Sequence, residues 1–537
     1  MALSSRLISG AIVQIRRQYE RLGIRQISAQ QSNLNVGSLR NNIIANLAGG
    51  GWNAALVVLI TPLQIGLLGA EAYGVISLIA VLQIISGALD FGLATTVTRE
   101  IARDNGCVAT TTRALVNAAT AAYWLIALIG GGVLWLIAIA LPHHWLTAQN
   151  LPAEVIASAI ELIAGFLLLR WPVAIYAGIL SGAQAQVTLN TLKSTAITLR
   201  LAGGAILLLV KPDLICLLWW YVACAVTELA SFIYHARRAY GGLALLPRFE
   251  FSAIRPVAKF SSTMYLISLL AIFLTQIDRL AITRLLGLKE LGYYSIAYTA
   301  AMGMTLIQTA INNAALPSLA GIHGASDDTA LRDHHRHLSE LMGFVMVPAA
   351  LTLIFFAQPI LGLWVGSAIA NEVAGATAIL AAGFLLNAVY SSTYLCGIAA
   401  GQPGLFLRAN VFGLLGYLPA LGLGIGIGGI NGAATAWLLL NLYYIAVVLP
   451  RAHTTLALVP AGRWLRVTFA PFAGSGCAAF AVGWLLSHEI GQWQGALAGF
   501  ASAMVFYFAA GLRLSSPTLR SEFAKTIAAA WRRLNAR

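Results

Sequence analysis

The sequence predicts an all-α polytopic membrane protein, and composition and hydropathy are the observations that predict it. Of the 537 residues, 59% are hydrophobic and only 10% are charged, and the mean hydropathy is +0.79. Because a soluble domain carries about 25% charged residues, this composition excludes a soluble enzyme, a disordered chain and a disulfide scaffold. Many apolar runs also exceed the roughly 20 residues that a helix needs to cross a bilayer.

Apolar segments follow one another along the whole chain, and we expect about fourteen transmembrane helices. Short loops connect these segments, and the longest outer loop runs only from about Pro142 to Pro152. No extramembrane catalytic domain is therefore expected, and any function must lie within the membrane. The expected spans are 43–68, 74–98, 114–141, 154–181, 195–210, 214–234, 260–286, 291–319, 339–364, 373–399, 410–428, 432–450, 467–487 and 496–512.

The distribution of Lys and Arg predicts the orientation of the chain. With the N-terminus in the cytoplasm, the inner segments hold 27 of the 33 cations, whereas the outer loops hold only Lys211 and Lys289. This bias follows the positive-inside rule and predicts that both termini are cytoplasmic. It also accounts for the net charge of +14 without nucleic acid, because inner cations face anionic membrane lipids.

Both ends of the chain carry amphipathic patterns. Within the basic segment 1–42, residues 4–27 place isoleucines on one helical stripe and arginines on another. The basic tail 513–537 repeats this pattern over 518–537. We expect both to be helices that anchor to the inner membrane surface.

A repeat relates the two halves of the chain. The sequence LLGAEAYGVIS at 67–77 matches LLGLKELGYYS at 285–295 with an offset of 218 residues, which pairs Gly69 with Gly287 and Gly74 with Gly292. Six expected helices separate the copies, so both copies have the same orientation. We therefore expect two pseudo-symmetric six-helix lobes, as in alternating-access transporters, followed by a helix pair. The expected boundaries are 43–240 for the N-lobe, 241–450 for the C-lobe and 451–512 for helices 13 and 14.

Four arginines fall inside the expected spans, where a charged side chain is costly and is a functional candidate by default. Arg170 lies about 11 residues from the inner end of helix 4, roughly 16 Å at 1.5 Å per residue, and is too deep for easy snorkelling. A cavity with cationic centres would bind an anionic headgroup, although structural ion pairs are an alternative reading. The candidate binding cations are Arg170, Arg200, Arg279 and Arg284.

Four carboxylates accompany these arginines. Asp278 and Arg279 are adjacent and point about 100° apart on a helix, so they do not simply pair. Glu161 and Arg170 lie on opposite faces of one helix, and each therefore needs a partner on another helix. The candidates for ion coupling are Asp90, Glu161, Glu228 and Asp278.

Motifs that would indicate catalysis or cofactor binding are missing from the sequence. The five cysteines show no metal-ligand spacing. The glycines at 422–429 lie in an apolar span and indicate close helix packing rather than a nucleotide loop. We expect His334, His335 and His337 to lie in a solvated inner loop. The sequence thus predicts a protein that is not an enzyme and has no catalytic residues, metal or cofactor.

Three segments carry a family resemblance. The stretch LLGAEAYGVISLIAVLQIISGALDFGLATTVTREIA (67–102) contains a Gly-x-x-x-Tyr-Gly turn, then Asp-Phe-Gly, then an arginine at the inner end. It resembles the first helical hairpin of bacterial polysaccharide transporters, the Wzx-type branch of the multidrug/oligosaccharidyl-lipid/polysaccharide exporter superfamily. The stretch QIDRLAITRLLGLKELGYYSIAY (276–298) resembles the opening of the second half in that family, and GINGAATA (429–436) is also similar.

The resemblance covers roughly residues 40–450 and implies two six-helix lobes around a central cavity. It implies a flippase of the bacterial inner membrane that moves undecaprenyl-diphosphate-linked oligosaccharide to the outer leaflet for O-antigen, exopolysaccharide or capsule synthesis. By the same analogy, Arg170, Arg200 and Arg279 contact diphosphate or acidic sugars, and the polysaccharide polymerase and other assembly proteins are partners.

Three alternatives remain open on the sequence alone. A cation-coupled multidrug antiporter of the same superfamily would favour acids in its cavity, yet the four intramembrane acids match the four arginines in number, so charge discriminates only weakly. A lipid II flippase would account for helices 13 and 14, which depart from the twelve-helix pattern. A membrane glycosyltransferase or polymerase would carry catalytic groups in sizeable outer loops, which the sequence lacks.

Overall fold

Every regular element of the described chain is helical, which confirms the predicted all-α fold. The structure is a computed structural model, and it describes residues 36–88, 92–103, 110–140, 148–241, 243, 269–270, 272–324, 328–490 and 492–534. Within these ranges, ten helices are long and apolar enough to cross a membrane. Four of the ten contain internal breaks: Gly49–Gly87, Ala153–Gly182, Thr329–Val365 and Pro403–Thr455. The count of fourteen crossings stays a prediction.

The described residues form two compact units, which we treat separately. The first unit is drawn from 1–68, 82–142 and 152–269, and the second is drawn from 69–81, 143–151 and 270–537. A buried apolar cluster that includes Tyr123, Ile175 and Phe232 forms the centre of the first unit.

Seven helices begin in the first part of the chain. The longest of them changes direction at Gly69, whose φ of 82° lies in the left-handed region that favours glycine. The helices are α1 (Val36–Ala88), α2 (Leu93–Arg103), α3 (Thr110–Ala140), α4 (Ala153–Arg170), α5 (Val173–Gly182), α6 (Gln186–Val210) and α7 (Leu214–Ala239).

The helix bounds differ from the expected spans at two places in this part. The expected second span, 74–98, is wrong at its end, because α1 ends at Ala88 and a separate helix begins at Leu93. The expected fifth span begins too late, because α6 already starts at Gln186 and includes Lys193, which the sequence places in a loop. Polar residues at the start of α6 hide this helix from a hydropathy criterion.

Ten further helices follow in the second unit. They are α8 (272–285), α9 (Leu288–Gly324), α10 (Asp328–Val365), α11 (Ser367–Ala399), α12 (Pro403–Tyr443), α13 (Leu449–Thr455), α14 (Ala461–Trp464), α15 (Ala470–Ile490), α16 (Gln492–Leu514) and α17 (Pro517–Leu534). Short π-helical turns, Tyr444–Val448 and Leu465–Phe469, precede α13 and α15.

The two copies of the repeat meet at a reciprocal crossing within the second unit. A Cβ added at Gly74 would lie 2.0 Å from the carbonyl oxygen of Leu288, and one added at Gly292 would lie 2.3 Å from that of Ala70. Ala70 and Leu288 are themselves related by the offset of 218 residues, so each half contributes the same contact. Only glycine allows two helix backbones to approach this closely.

A loop is fixed beside this crossing by a buried carboxylate. Glu71 is only 5% exposed. Its oxygens accept hydrogen bonds from the backbone N–H groups of Gln149, Asn150 and Leu151 at 2.8–3.2 Å. The charge of Glu71 is therefore satisfied by the loop backbone rather than by a cation.

The glycine-rich segment shows the predicted close packing at only one of its positions. Helix α12 breaks at Gly428 and Gly429. Beyond this break the chain returns so closely that a Cβ added at Gly432 would collide with the backbone of Gly424. Close packing accounts for Gly424, and the left-handed φ of 55° accounts for Gly429, whereas a Cβ added at Gly422, Gly426 or Gly428 would have no neighbour within 4 Å among the described residues.

The predicted solvated histidine loop is wrong. His334, His335 and His337 lie within α10, and His335 is only 2% exposed. Its Nε2 lies 3.0 Å from Thr393 Oγ1, and its ring stacks on Trp464 at a centroid distance of 5.5 Å. The charged residues around the histidines make this segment look like a loop in the hydropathy pattern. It is instead a helix, and His335 lies on its buried face.

The C-terminal pattern forms a helix, and the N-terminal pattern at 4–27 lies outside the described residues. Helix α17 packs part of its apolar face on protein, with Leu519 only 4% exposed. The ring of Phe523 lies 5.7 Å from that of Phe344. This contact with α10 ties the tail to the second unit.

Candidate functional site

The sequence-predicted site residues fall into two clusters and two isolated positions. One cluster combines residues of α4, α6 and α7 in the first unit, and the other lies at α8 in the second unit. Glu161 and Arg284 are exposed on α4 and α8, and Asp90 lies outside the described residues. The clustered residues are Arg170, Arg200 and Glu228 in the first unit and Asp278 and Arg279 in the second.

An ion pair between two helices forms the base of the first cluster. Arg170 is the last residue of α4, where Pro172 interrupts the helical hydrogen bonding before α5 begins. Its guanidinium lies 3.2 Å from Oε1 of Glu228 on α7, and the two side chains are 26% and 6% exposed. The sequence predicts that Arg170 needs an ionic partner on another helix, and Glu228 of α7 is that partner.

Two further cations from α6 complete what we call the cationic cluster: Arg170, Lys193, Arg200 and Glu228. Lys193 and Arg200 are seven residues apart, so they share one face of α6. The guanidinium carbons of Arg170 and Arg200 lie 5.9 Å and 5.5 Å from the ring centroid of Phe166, within the range of a cation–π contact. Lys193 interacts electrostatically with Arg170 and Glu228.

The cationic cluster carries more positive than negative charge. Three cations stand against the single carboxylate of Glu228. Throughout the part of the chain that the structure describes, no carboxylate oxygen lies within 4.0 Å of Arg200 or Lys193. Arg200 is half-buried and Lys193 is exposed, so both retain donors for an anionic ligand.

Neutral side chains brace the base of this cluster. Gln64 of α1 donates a hydrogen bond of 2.9 Å to the hydroxyl of Tyr221 on α7, and both residues are buried. The Tyr221 ring packs 6.2 Å from that of Phe166. These contacts fix the aromatic ring that both guanidinium groups flank.

The second cluster centres on a fully buried carboxylate. Asp278 is 2% exposed. Its Oδ2 accepts a hydrogen bond of 2.6 Å from the Tyr294 hydroxyl of α9, and its Oδ1 accepts one of 2.8 Å from the backbone N–H of Arg279. Within the described chain, Asp278 makes no side-chain ion pair. The charge of Asp278 is therefore satisfied by two hydrogen bonds rather than by a salt bridge.

Arg279 is held apart from Asp278, as their spacing on the helix predicts. Its Nη1 donates to Oε1 of Gln276 at 3.1 Å, and its guanidinium lies 3.8 Å over the ring of Tyr298. Its Nε is buried and makes no hydrogen bond to the residues that the structure describes. Arg279 is 7% exposed and is therefore far less accessible than Arg200.

Sequence reasoning missed the neutral partners of both clusters. Tyr294 and Tyr298 are four residues apart, and this helical spacing could have identified them as one face beside Asp278. Lys193 could have been found from its spacing of seven residues to Arg200. No sequence signal connects Gln64 to Tyr221, because that contact joins helices 157 residues apart.

Comparisons with known proteins agree with this fold. A family model described as "Polysaccharide biosynthesis protein" matches residues 65–374. The "Putative O-antigen transporter" of Shigella flexneri is 22% identical over 380 residues, which cover 69% of this chain and 87% of that protein.

Solved structures show the same architecture. A structure titled "Lipid II flippase MurJ, inward closed conformation" matches with a TM-score of 0.67 at 12% identity, covering 87% of this chain and 98% of that one. A multidrug resistance MATE family transporter matches with a TM-score of 0.61 at 13% identity, covering 75% and 94%. At these identities the likeness establishes the fold. The family model spans more than half of the sequence, and the chain belongs to the polysaccharide biosynthesis protein family.

Proposed function

We propose that this protein is a Wzx-type flippase of the multidrug/oligosaccharidyl-lipid/polysaccharide exporter superfamily. In this proposal it moves undecaprenyl-diphosphate-linked oligosaccharide from the inner to the outer leaflet of the bacterial inner membrane. The observation that carries the proposal is the excess positive charge of the cationic cluster in the first unit. The family of the chain and its likeness to an O-antigen transporter support surface polysaccharide as the destination of the glycan.

The charge of the cluster matches the charge of the proposed headgroup. Glu228 offsets one cation, which leaves an excess of two positive charges on Arg170, Lys193 and Arg200. A glycosyl diphosphate diester carries one negative charge on each phosphate. Arg200 offers a planar fork of donors that suits a phosphate, and Lys193 offers a flexible point charge.

The main barrier to translocation is desolvation of the charged, hydroxyl-rich headgroup. A cationic site within membrane helices lowers that barrier by replacing water with charge-assisted hydrogen bonds. The lipid tail can stay in hydrocarbon while the headgroup moves. Alternating access between two lobes would then carry the headgroup across the membrane.

The rival functions fit the cluster less well. A cationic drug would be repelled by the net positive charge of the cluster, which disfavours a multidrug antiporter. Lipid II also carries a diphosphate, so the cluster is compatible with a lipid II flippase. The matched family and the O-antigen relative favour surface polysaccharide over that alternative.

We further propose that Asp278 is the coupling site. Among the three acidic candidates that the structure describes, Glu228 pairs with Arg170 and Glu161 is exposed, whereas Asp278 is buried beside a tyrosine hydroxyl. Protonation of Asp278 would remove a buried charge. The protonated carboxyl group would then be a donor towards Tyr294, whose hydroxyl now donates to the carboxylate. The proposed orientation places both termini in the cytoplasm, and the proposed partners are the polysaccharide polymerase and other assembly proteins.

Translocation by the purified protein in liposomes tests the proposal. The probe is a polyprenyl diphosphate that carries a fluorescent saccharide, and a membrane-impermeant quencher reports its leaflet. We expect Lys193→Gln and Arg200→Gln each to slow translocation about 10- to 100-fold, because hydrogen bonds to charged groups contribute about 1.5–3 kcal/mol.

Lys211→Gln is the matched control. Lys211 follows the C-terminal end of the same helix and is exposed, so its replacement removes an equal charge outside the cluster. Translocation that is insensitive to Lys193 and Arg200, or equally sensitive to Lys211, would contradict the proposal. Asp278→Asn should abolish any dependence of the rate on an imposed proton or sodium gradient, and a retained dependence would remove Asp278 from the coupling role.

A further inference from the structure

A ladder of carboxamides crosses three helices of the second unit. Gln308 Nε2 of α9 donates to Asn387 Oδ1 of α11 at 3.2 Å, and Asn387 Nδ2 donates to Asn441 Oδ1 of α12 at 3.0 Å. Asn441 is completely buried, and its Nδ2 donates to the carbonyl of Trp437 at 2.9 Å. Both polar atoms of the Asn441 carboxamide therefore have a hydrogen-bond partner, and the chain of amides orients Gln308 at its other end.

The open end of the ladder continues as a polar stripe along α9. Thr305, Gln308, Thr309, Asn312 and Asn313 recur at intervals of three and four residues, so they share one side of the helix. Thr309 and Asn313 are exposed, and the other three are half-buried. We call this set the amide stripe.

The amide stripe retains unused hydrogen-bonding groups. Asn312 Oδ1 accepts only a long contact of 3.5 Å from Ser391. Within the described part of the chain, the Asn312 Nδ2 group and the whole carboxamide of Asn313 make no hydrogen bond to protein. In hydrocarbon such groups would be costly, so they must face water or a polar ligand.

The carboxamide ladder lies deep within helices long enough to cross the membrane, so its members are not ordinary polar surface residues. Asn387 lies within the apolar helix Ser367–Ala399 and Asn441 within Pro403–Thr455, both long enough to cross the membrane. Asn387 is 12 residues from the end of its helix, or roughly 18 Å at 1.5 Å per residue. Helix α9 has 37 residues, yet it is too polar to count among the ten apolar spans. The amide stripe supplies the polar residues in the middle of this helix.

We propose that the amide stripe binds the hydroxyl groups of an uncharged sugar, and this inference rests on the proposed flippase function. A carboxamide presents a donor and an acceptor side by side, which matches the donor and acceptor of neighbouring sugar hydroxyls. The stripe has no charged member, so it suits the neutral part of the headgroup rather than the diphosphate. The ladder to Asn441 holds Gln308 and Asn387 in fixed orientations, which reduces the ordering needed when the sugar binds.

Binding to the full-length protein in lipid nanodiscs tests this assignment with two probes. One probe is a polyprenyl diphosphate that carries a neutral disaccharide, and the other is the same polyprenyl diphosphate without sugar. We expect Asn312→Leu combined with Asn313→Leu to weaken binding of the disaccharide probe about tenfold, because several neutral hydrogen bonds are lost. Binding of the sugar-free probe should change less than twofold.

Two further variants keep the result interpretable. Thr309→Val removes a stripe hydroxyl with little change of volume and should weaken only the disaccharide probe, by about twofold to fivefold. Asn371→Leu removes an exposed carboxamide elsewhere on α11 that is hydrogen-bonded to Gln358, and it should leave both probes unaffected. Unchanged binding of the sugar-free probe also reports that each variant is folded.

The outcomes separate the two proposals. Equal weakening of both probes by the stripe variants, or no weakening of the disaccharide probe, would overturn the sugar assignment. If Lys193→Gln loses binding of the sugar-free probe while the stripe variants bind both probes normally, the diphosphate site is supported and the sugar assignment of the amide stripe is rejected. A wild-type protein that binds neither probe would reject the flippase proposal and the stripe with it.

Discussion

Replacing Gly292 with alanine should destabilise the second unit, because Gly292 lies where the two copies of the internal repeat cross. The added methyl group would lie 2.3 Å from the carbonyl oxygen of Ala70 and 3.3 Å from the backbone nitrogen of Gly74. Both atoms belong to helix backbone, so neither can rotate away as a flexible side chain could. The two helices must therefore move apart.

The magnitude follows from the geometry of the crossing. Ordinary contacts of a Cβ begin at 3.4 Å, so a contact of 2.3 Å requires a separation of about 1 Å, and overpacking of this kind costs about 1–3 kcal/mol. Melting temperatures shift by about 2–4 °C per kcal/mol in domains of 150–250 residues. We expect a decrease of several degrees for Gly292→Ala in a thermal unfolding assay of the purified protein.

A control on the same helix isolates the steric effect. A Cβ added at Gly303 has no neighbour within 4 Å, so Gly303→Ala should keep or slightly raise the melting temperature through helix propensity. Gly74→Ala should resemble Gly292→Ala, and the double variant should lose less than the sum, because one separation relieves both clashes. Equal melting temperatures for Gly292→Ala and Gly303→Ala would refute the reciprocal crossing.

Three other substitutions test the buried polar contacts. Glu228→Gln removes the charged partner of Arg170 and should lower the free energy of unfolding by about 1–3 kcal/mol. This is less than the 3–5 kcal/mol expected for a fully buried pair, because the Arg170 side chain is 26% exposed. An unchanged unfolding midpoint would show that the pair contributes nothing to stability. Tyr294→Phe should cost about 1–3 kcal/mol in the wild type and clearly less in an Asp278→Asn background, and equal costs in both backgrounds would contradict their coupling. Glu71→Gln should speed amide hydrogen exchange at the three loop N–H groups that its carboxylate binds, whereas unchanged exchange would mean that the loop is held by other contacts.

The hydropathy pattern was sufficient to predict the helical fold, because burial in lipid requires long apolar segments that satisfy their own backbone hydrogen bonds. Its failures at α6 and α10 share one physical cause. Polar and charged residues occupy the start of both helices, and a hydropathy criterion reads such a stretch as a loop. Lys193 and His335 were misplaced for that reason.

The candidate site was predictable as a set of residues but not as an arrangement. The cost of charge in hydrocarbon singles out Arg170 and Asp278 from sequence alone. Partners depend on which helices pack together, and residues such as Glu228 and Arg170 lie 58 positions apart in the sequence. The difference in exposure between the half-buried Arg200 and the buried Arg279 therefore depends on tertiary packing and not on a sequence pattern.

The repeat illustrates how a short sequence match acquires a physical meaning. The positive φ angles of Gly69 and Gly287, 82° and 96°, occur at equivalent positions. A glycine follows five residues later in each copy, and the two later glycines pack against each other's helix. The match of glycines thus reflects two backbone requirements: a left-handed turn and a close approach.

Equilibrium binding of a polyprenyl diphosphate-linked glycan to Lys193→Gln and Lys211→Gln is the measurement that tests the central claim most directly. Both variants lose one lysine from the same stretch of chain, but only Lys193 belongs to the cationic cluster. A cluster that holds the diphosphate predicts a dissociation constant about tenfold or more higher for Lys193→Gln, no change for Lys211→Gln, and equal weak binding of uncharged polyprenol to both. Equal affinities of the two variants for the diphosphate lipid would contradict the claim that this cluster recognises the transported headgroup.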